Sequence, residues 1–308
     1  MKAANLRKWL ISCILFLGIL LISRAQNSTR FIKQVRQYQD SIKMDRKTYY
    51  KTIDPTTFNL NYYMHLYNKI HLDTKLEYDY VFFDNRLDGK PYIFVREHSF
   101  DLGKYLEQEA SKALRTSSRT RIYKTEKPRI VHPKPFQFLN DSAFIEPAEE
   151  ILEFNDEEYN GFIQHKLYQF LNDSINRAYN RVVPEDSEEG YIQYLFFREM
   201  GEQFALKWHE SYNEKSVIAN AIDIKQILIK YTNNSAFECN QKDLKKISKI
   251  DPTPRVILDT DQCIVTWYEI ETHRGIFKRT YSISRSFPYR IQRLVNTCLL
   301  EIDITFVY

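Results

Sequence analysis

The sequence predicts an α+β protein: helices packed on antiparallel sheet, a helix-rich middle, and a C-terminal antiparallel β-meander. Apolar residues recur at three- and four-residue steps through much of the chain as far as residue 250. From Arg255 onward the period switches to two. No β/α alternation, Gly-rich dinucleotide fingerprint or P-loop is present, which disfavours nucleotide-binding folds.

The first element is Trp9–Ile22, apolar apart from Ser12, Cys13 and Gly18. Lys2, Arg7 and Lys8 precede it without an acid, and Ser23-Arg24-Ala25 follows with small residues at both cleavage positions. A basic start, an apolar run and a small-x-small exit predict a signal peptide over residues 1–25, cut after Ala25. At about 1.5 Å per residue the run spans roughly 21 Å, short of the roughly 30 Å bilayer core. The expected location is therefore the periplasm or the cell surface, with membrane contact only through this segment. Left uncleaved, residues 9–22 would be an anchor.

The whole chain carries 44 Lys+Arg against 40 Asp+Glu. The leader holds four of those cations (Lys2, Arg7, Lys8, Arg24) and no acid, so the mature part has 44 − 4 = 40 of each. A neutral mature chain lacks the positive field that phosphate binding needs, so no nucleic-acid partner is expected. Mature cysteines are Cys239, Cys263 and Cys298, without a C-x-x-C pair, and neither metal nor cofactor is expected. Cys263 and Cys298 lie in strand-like segments and are the preferred disulfide; buried thiols are the alternative.

Phe31, Val35, Tyr38 and Ile42 predict a helix over 29–47, and Asp54-Pro55-Thr56 a cap for a second one running to about Ile70. Leu76–Phe83 and Pro91–Arg96 read as a hairpin with Asp88-Gly89 in its turn, followed by a helix from Asp101 to Leu114. Residues 26–110 thus form a helix-helix-hairpin unit. Residues 111–140 read as a basic, Pro-containing linker: between 111 and 135 eight cations face Glu126 alone. Residues 141–308 read as a C-terminal α+β domain. Its helices are expected over Glu157–Arg181, Ser187–Tyr212, Ile218–Tyr231 and Asp243–Ile250. Its strands are expected over Arg255–Asp259, Gln262–Thr272, Ile276–Arg285 and Tyr289–Tyr308, with a bend at Asn296-Thr297.

Two constellations carry chemistry. Glu199, Glu202 and His209 fall on one face of the expected helix 187–212, where they could do acid–base work or hold a metal, with Glu269, Glu271 and His273 alternating on a nearby strand. His209-Glu210 opens like a zinc-protease motif, but Asn213 stands where the second histidine would be. The second is aromatic: 22 Tyr, 20 Phe and 3 Trp, with Trp267, Tyr268 and His273 as candidate binding residues on a Tyr-rich sheet face. The sequence thus favours an exported envelope protein that binds a protein or a glycan without catalysis. A hydrolase built on Glu199, Glu202 and His209 is the alternative.

Overall fold

The computed structural model describes residues 26–42, 58–84, 89–116, 137–140, 156–173, 175–204, 215–232, 237–238, 241–271 and 274–304. In chain order these are α1 (26–42), α2 (Leu60–Leu66), β1 (Ile70–His71), β2 (Leu76–Asp84), β3 (Gly89–Glu97) and α3 (Leu102–Thr116). Then come β4 (Gln137–Asn140), α4 (Asp156–Asn172), α5 (Ala178–Arg181), β5 (Val183–Pro184), α6 (Glu188–Met200), β6 (Lys215–Ile218), α7 (Ala221–Thr232), β7 (Phe237–Glu238) and α8 (Gln241–Ile247). The chain closes with β8 (Arg255–Leu258), β9 (Gln262–Glu271), β10 (Gly275–Ser284), β11 (Ile291–Glu301) and β12 (Asp303–Ile304). The α+β class and the C-terminal antiparallel meander are both present, with β8, β9, β10 and β11 pairing in sequence. β6 shares one edge of β9 with β8, end to end.

Alternation of side chains across the strands sets the layers. On the β2–β3 hairpin, Tyr80, Ile93 and Val95 face the main core, while Val81 and Phe94 face α3 and α4. On the C-terminal sheet, Cys263, Val265, Trp267, Tyr281 and Ile283 face the same main core. The opposite face, through Ile276 and Leu300, lies under Ile224 of α7 and Leu244 and Ile247 of α8. Helices α1, α2 and α6 fill the space between the two sheets, so segments on both sides of residues 111–140 contribute to one core.

The helices end where tertiary partners capture their backbone. α2 begins at the Asn59 cap, whose Oδ1 accepts from Tyr62 N at 2.9 Å. It stops at Leu66 instead of reaching Ile70, because the Lys69 amide donates to Gln193 Oε1 at 2.8 Å and Ile70 pairs with Pro184. The expected helix to Arg181 breaks after Asn172, where Asp173 Oδ1 accepts from Ile175 N (3.1 Å) and the Asn176 carbonyl accepts from Val95 N (2.9 Å). α6 ends at Met200 rather than near Tyr212. Gln39 Nε2 donates to the Met200 carbonyl at 2.9 Å, and the Tyr63 hydroxyl donates to that of Gly201 at 2.7 Å. The segment expected to open a helix at Ile218 is strand β6, with α7 starting at Ala221.

Strand limits agree with the alternation to within two residues until β11. There the strand breaks at Ile302, and bulges at Leu294 and Leu299 flank the Asn296-Thr297 step expected to bend. Gly275 enters β10 with φ +122°, and a Cβ there would meet the Leu300 carbonyl at 1.8 Å. The Asp54-Pro55-Thr56 cap lies outside the described residues. Tyr63→Phe leaves the Gly201 carbonyl buried without its donor. A loss of about 1–3 kcal/mol is expected, read as a lower urea midpoint at unchanged slope.

Candidate functional site

The densest charge in the interior sits on the core-facing side of β9 and β10. The register sets Glu271 opposite Gly275, Glu269 opposite Phe277 and Trp267 opposite Arg279, so these side chains share one face. Arg279 is 1% exposed and divides its guanidinium between two acids: Nε donates to Glu269 Oε1 and Nη2 to Glu271 Oε1, both at 2.5 Å. Trp267 Nε1 donates to Glu269 Oε2 at 3.3 Å, and Arg274 Nη1 to Glu271 Oε2 at 2.8 Å. The guanidinium also lies 4.3 Å from the Phe277 ring centroid, a cation–π contact. Arg279 Nη1 has no hydrogen-bond partner among the described residues.

Burial raises the Glu269 carboxyl above the ordinary carboxylate range, against the lowering pull of Arg279 and Lys215. Burial also opposes the charge on Arg279, but its two carboxylates outweigh this and hold the guanidinium's pKa up. Chemically the cluster is a salt-bridged knot: each acid already accepts from Arg279 and from a second donor.

The expected Glu/Glu/His face does not assemble among the described residues. Glu199 lies in the last turn of α6, where its Oε2 is 3.5 Å from Arg293 Nη2 on β11. Glu202 follows the helix and engages Arg177 Nη1 at 3.1 and 3.3 Å. That guanidinium stacks 5.5 Å from Tyr92 and 5.9 Å from Tyr179. The two carboxylates thus serve different partners in different parts of the fold. His209 and His273 lie outside the described residues. No group of three or more His, Cys, Asp or Glu among the described residues could hold a metal ion.

The aromatic face needs correcting as well. Trp267 is fully buried, with its ring 5.6 Å from Tyr281 and 6.4 Å from Phe196, and Tyr268 packs on the opposite side of the sheet against the α7–α8 cluster. Neighbours on a strand point to opposite faces, so these two could not have formed one platform. Tyrosines 63, 67, 80, 191, 194 and 281 are core residues rather than surface ones. The expected disulfide does not form either. Cys263 is opposite Ile283, and Cys298 is opposite Phe277, six residues along β10 and on its other side. Both thiols are free, Cys263 buried and Cys298 exposed.

Arg279 is the residue sequence reasoning missed. A signal was present: with the turn at His273-Arg274-Gly275, its parity puts it on the face carrying Trp267, Glu269 and Glu271. Comparison with known protein families, curated proteins and solved structures gives no match.

Arg279→Met leaves two carboxylates buried side by side and is expected to cost about 3–5 kcal/mol, whereas Glu269→Gln is milder because Glu271 still pairs the guanidinium. Glu269 is raised in the folded state, so between the ordinary and the raised value the folded chain binds more protons than the unfolded one. Stability then falls as pH rises through that window. Denaturation midpoints measured across pH should show a smaller slope of this sign in Glu269→Gln than in the natural protein, the raised Asp79 carboxyl contributing the same sign in both. For the thiols, burial pushes Cys263 up to about 12. Mass spectrometry after brief alkylation should find Cys298 modified in the native protein and Cys263 modified only after unfolding.

Proposed function

We propose that the chain is exported and acts as a non-catalytic binding module of the cell envelope, taking a protein partner on the outward face of its C-terminal sheet. The observation that carries this reading is the contrast between the two faces. On the core side every acid of the candidate site is engaged by an arginine. On the outward side α7 and α8 cover only the half around Ile276 and Leu300. Beyond their reach lie Ile257, 65% exposed, then Ile264 beside it on β9, the Thr266–Thr280 hydroxyl pair (3.0 Å) and Val295. Apolar and hydroxyl groups on a firm sheet suit a protein partner, and the burial of Trp267 and Tyr281 favours this over a sugar-stacking platform on the same sheet. The leader-like segment and the neutral mature charge support the envelope setting.

The test is a photo-crosslinking residue placed at Ile257 in the native host, with Gln226 on α7 as the exposed control. A discrete adduct from Ile257 alone, in the envelope or periplasmic fraction, is expected. Recovery of the chain in the cytosol, or equal labelling from both positions, would sink the proposal.

A further inference from the structure

We infer that β11 is the seam of a homodimer, in which a second copy of the chain adds its own β11 antiparallel to this one. The strand is eleven residues long and pairs with β10 on one side. It takes no other partner among the described residues. All seven residues from Gln292 to Cys298 are exposed, so the middle of the strand is open on both faces. Leu294 is 49% and Val295 36% exposed there. A long open edge of this kind is a template for strand addition.

What selects a second copy is the order of residues along the strand. Pairing β11 with itself about Thr297 sets Arg293 of one copy opposite Glu301 of the other, twice over by symmetry. In the pairing with β10, Arg293 is opposite Tyr281 and Glu301 opposite Gly275, positions on the same side of the sheet as Trp267 and Glu271. The two charges therefore meet on one face, as a cross-strand pair requires. The same register sets Asn296 opposite Cys298, again on one face.

Bulges normally protect an edge from arbitrary strands. Here they fall at Leu294 and Leu299, one on each side of Thr297. In the self-paired register the stretch 293–297 of one copy lies along 297–301 of the other, and each stretch contains one bulge. The extra residue on one strand is matched by the extra residue on its partner. A regular foreign strand would lose register twice along the same edge, so the irregularities that repel other strands are matched by a copy of this one.

The test is the mass of the purified protein in solution, by light scattering across a concentration series. The natural chain should reach twice the monomer mass. Glu301→Arg and Arg293→Glu singly set like charges opposite each other and should return monomers, while the double variant Arg293→Glu with Glu301→Arg restores the pair and the dimer. Because Arg293 also neighbours Glu199 within its own chain, Glu301→Arg is the cleaner single variant. As a separate check, Asn296→Cys should give a covalent dimer through Cys298 on a non-reducing gel, and Glu301→Arg should abolish it. A natural chain that stays monomeric to its solubility limit, single variants that still dimerise, or a double variant that does not recover would overturn the inference.

Discussion

The structure depends on placing one helix where it has no solvent side. In α6 the run from Gly190 to Phe197 is buried without a break, and Met200 is buried one turn on. Such a helix can be placed only if each polar group it brings inside finds a partner, since an unmet buried donor or acceptor costs about 1–3 kcal/mol. Gln193 accepts from the Lys69 amide and donates to Asn68. The Tyr191 hydroxyl reaches Asp186, and that of Tyr194 reaches the Tyr289 carbonyl in the β10–β11 connection. At the helix end Gln39 and Tyr63 take the carbonyls that the next turn would have used. Apart from the local Tyr191–Asp186 bond, these contacts tie α6 to the 68–69 segment, the β10–β11 connection, α1 and α2, so satisfying this one helix goes far toward specifying the assembly around it. At the other end Gly190 allows the approach: a Cβ there would lie 2.2 Å from the Glu185 carbonyl oxygen.

The same requirement accounts for several of the tyrosines, although the buried hydroxyls of Tyr78 and Tyr281 have no hydrogen-bond partner among the described residues. A core made wide enough to hold three helices between two sheets needs large side chains, and a ring bearing a hydroxyl can fill volume while capping a carbonyl. Tyr63 shows both uses. Its ring stands edge-on to Tyr67 at 5.3 Å and to Phe204 at 5.0 Å, while its hydroxyl meets Gly201, Tyr67 and Gln39. Burial pushes the phenols of Tyr63, Tyr67 and Tyr80 above their ordinary range, so they stay neutral.

How much could be read in advance follows from how local each cause is. β9 was legible because its burial alternates residue by residue from Cys263 to Glu271, the two-residue period the sequence displays. The class and the meander follow from that period. Helix ends were not legible, since they are set by distant residues: Val95 on β3 stops α4's continuation, and Gln39 on α1 helps close α6. The Glu199–Glu202 face failed for the same reason. It assumed a helix through residue 202, and the helix ends at Met200 with each acid drawn to a separate guanidinium. The Glu269–Arg279 pair lay between these cases. It is non-local, yet a tight hairpin fixes its register, so charge at core-facing parity was a signal that aromatic content obscured.

That pair also bears on why a sheet facing a hydrophobic core should carry ions at all. Burying two carboxylates and a guanidinium stabilises a fold less than well-packed apolar side chains of the same volume would. Its value lies in what it forbids. Slide β10 by one residue against β9 and Arg279 passes to the opposite face with Lys278 turned inward, so a single ammonium replaces the forked guanidinium that holds Glu269 and Glu271 together. An apolar stripe would tolerate such a slip at the cost of imperfect packing; this one would also give up the two-pronged contact that pairs both carboxylates at once. The ladder must therefore close in the register seen, and β11, laid on β10, inherits it. The open faces and edge on the far side of β10 are held in place by charges that never reach solvent.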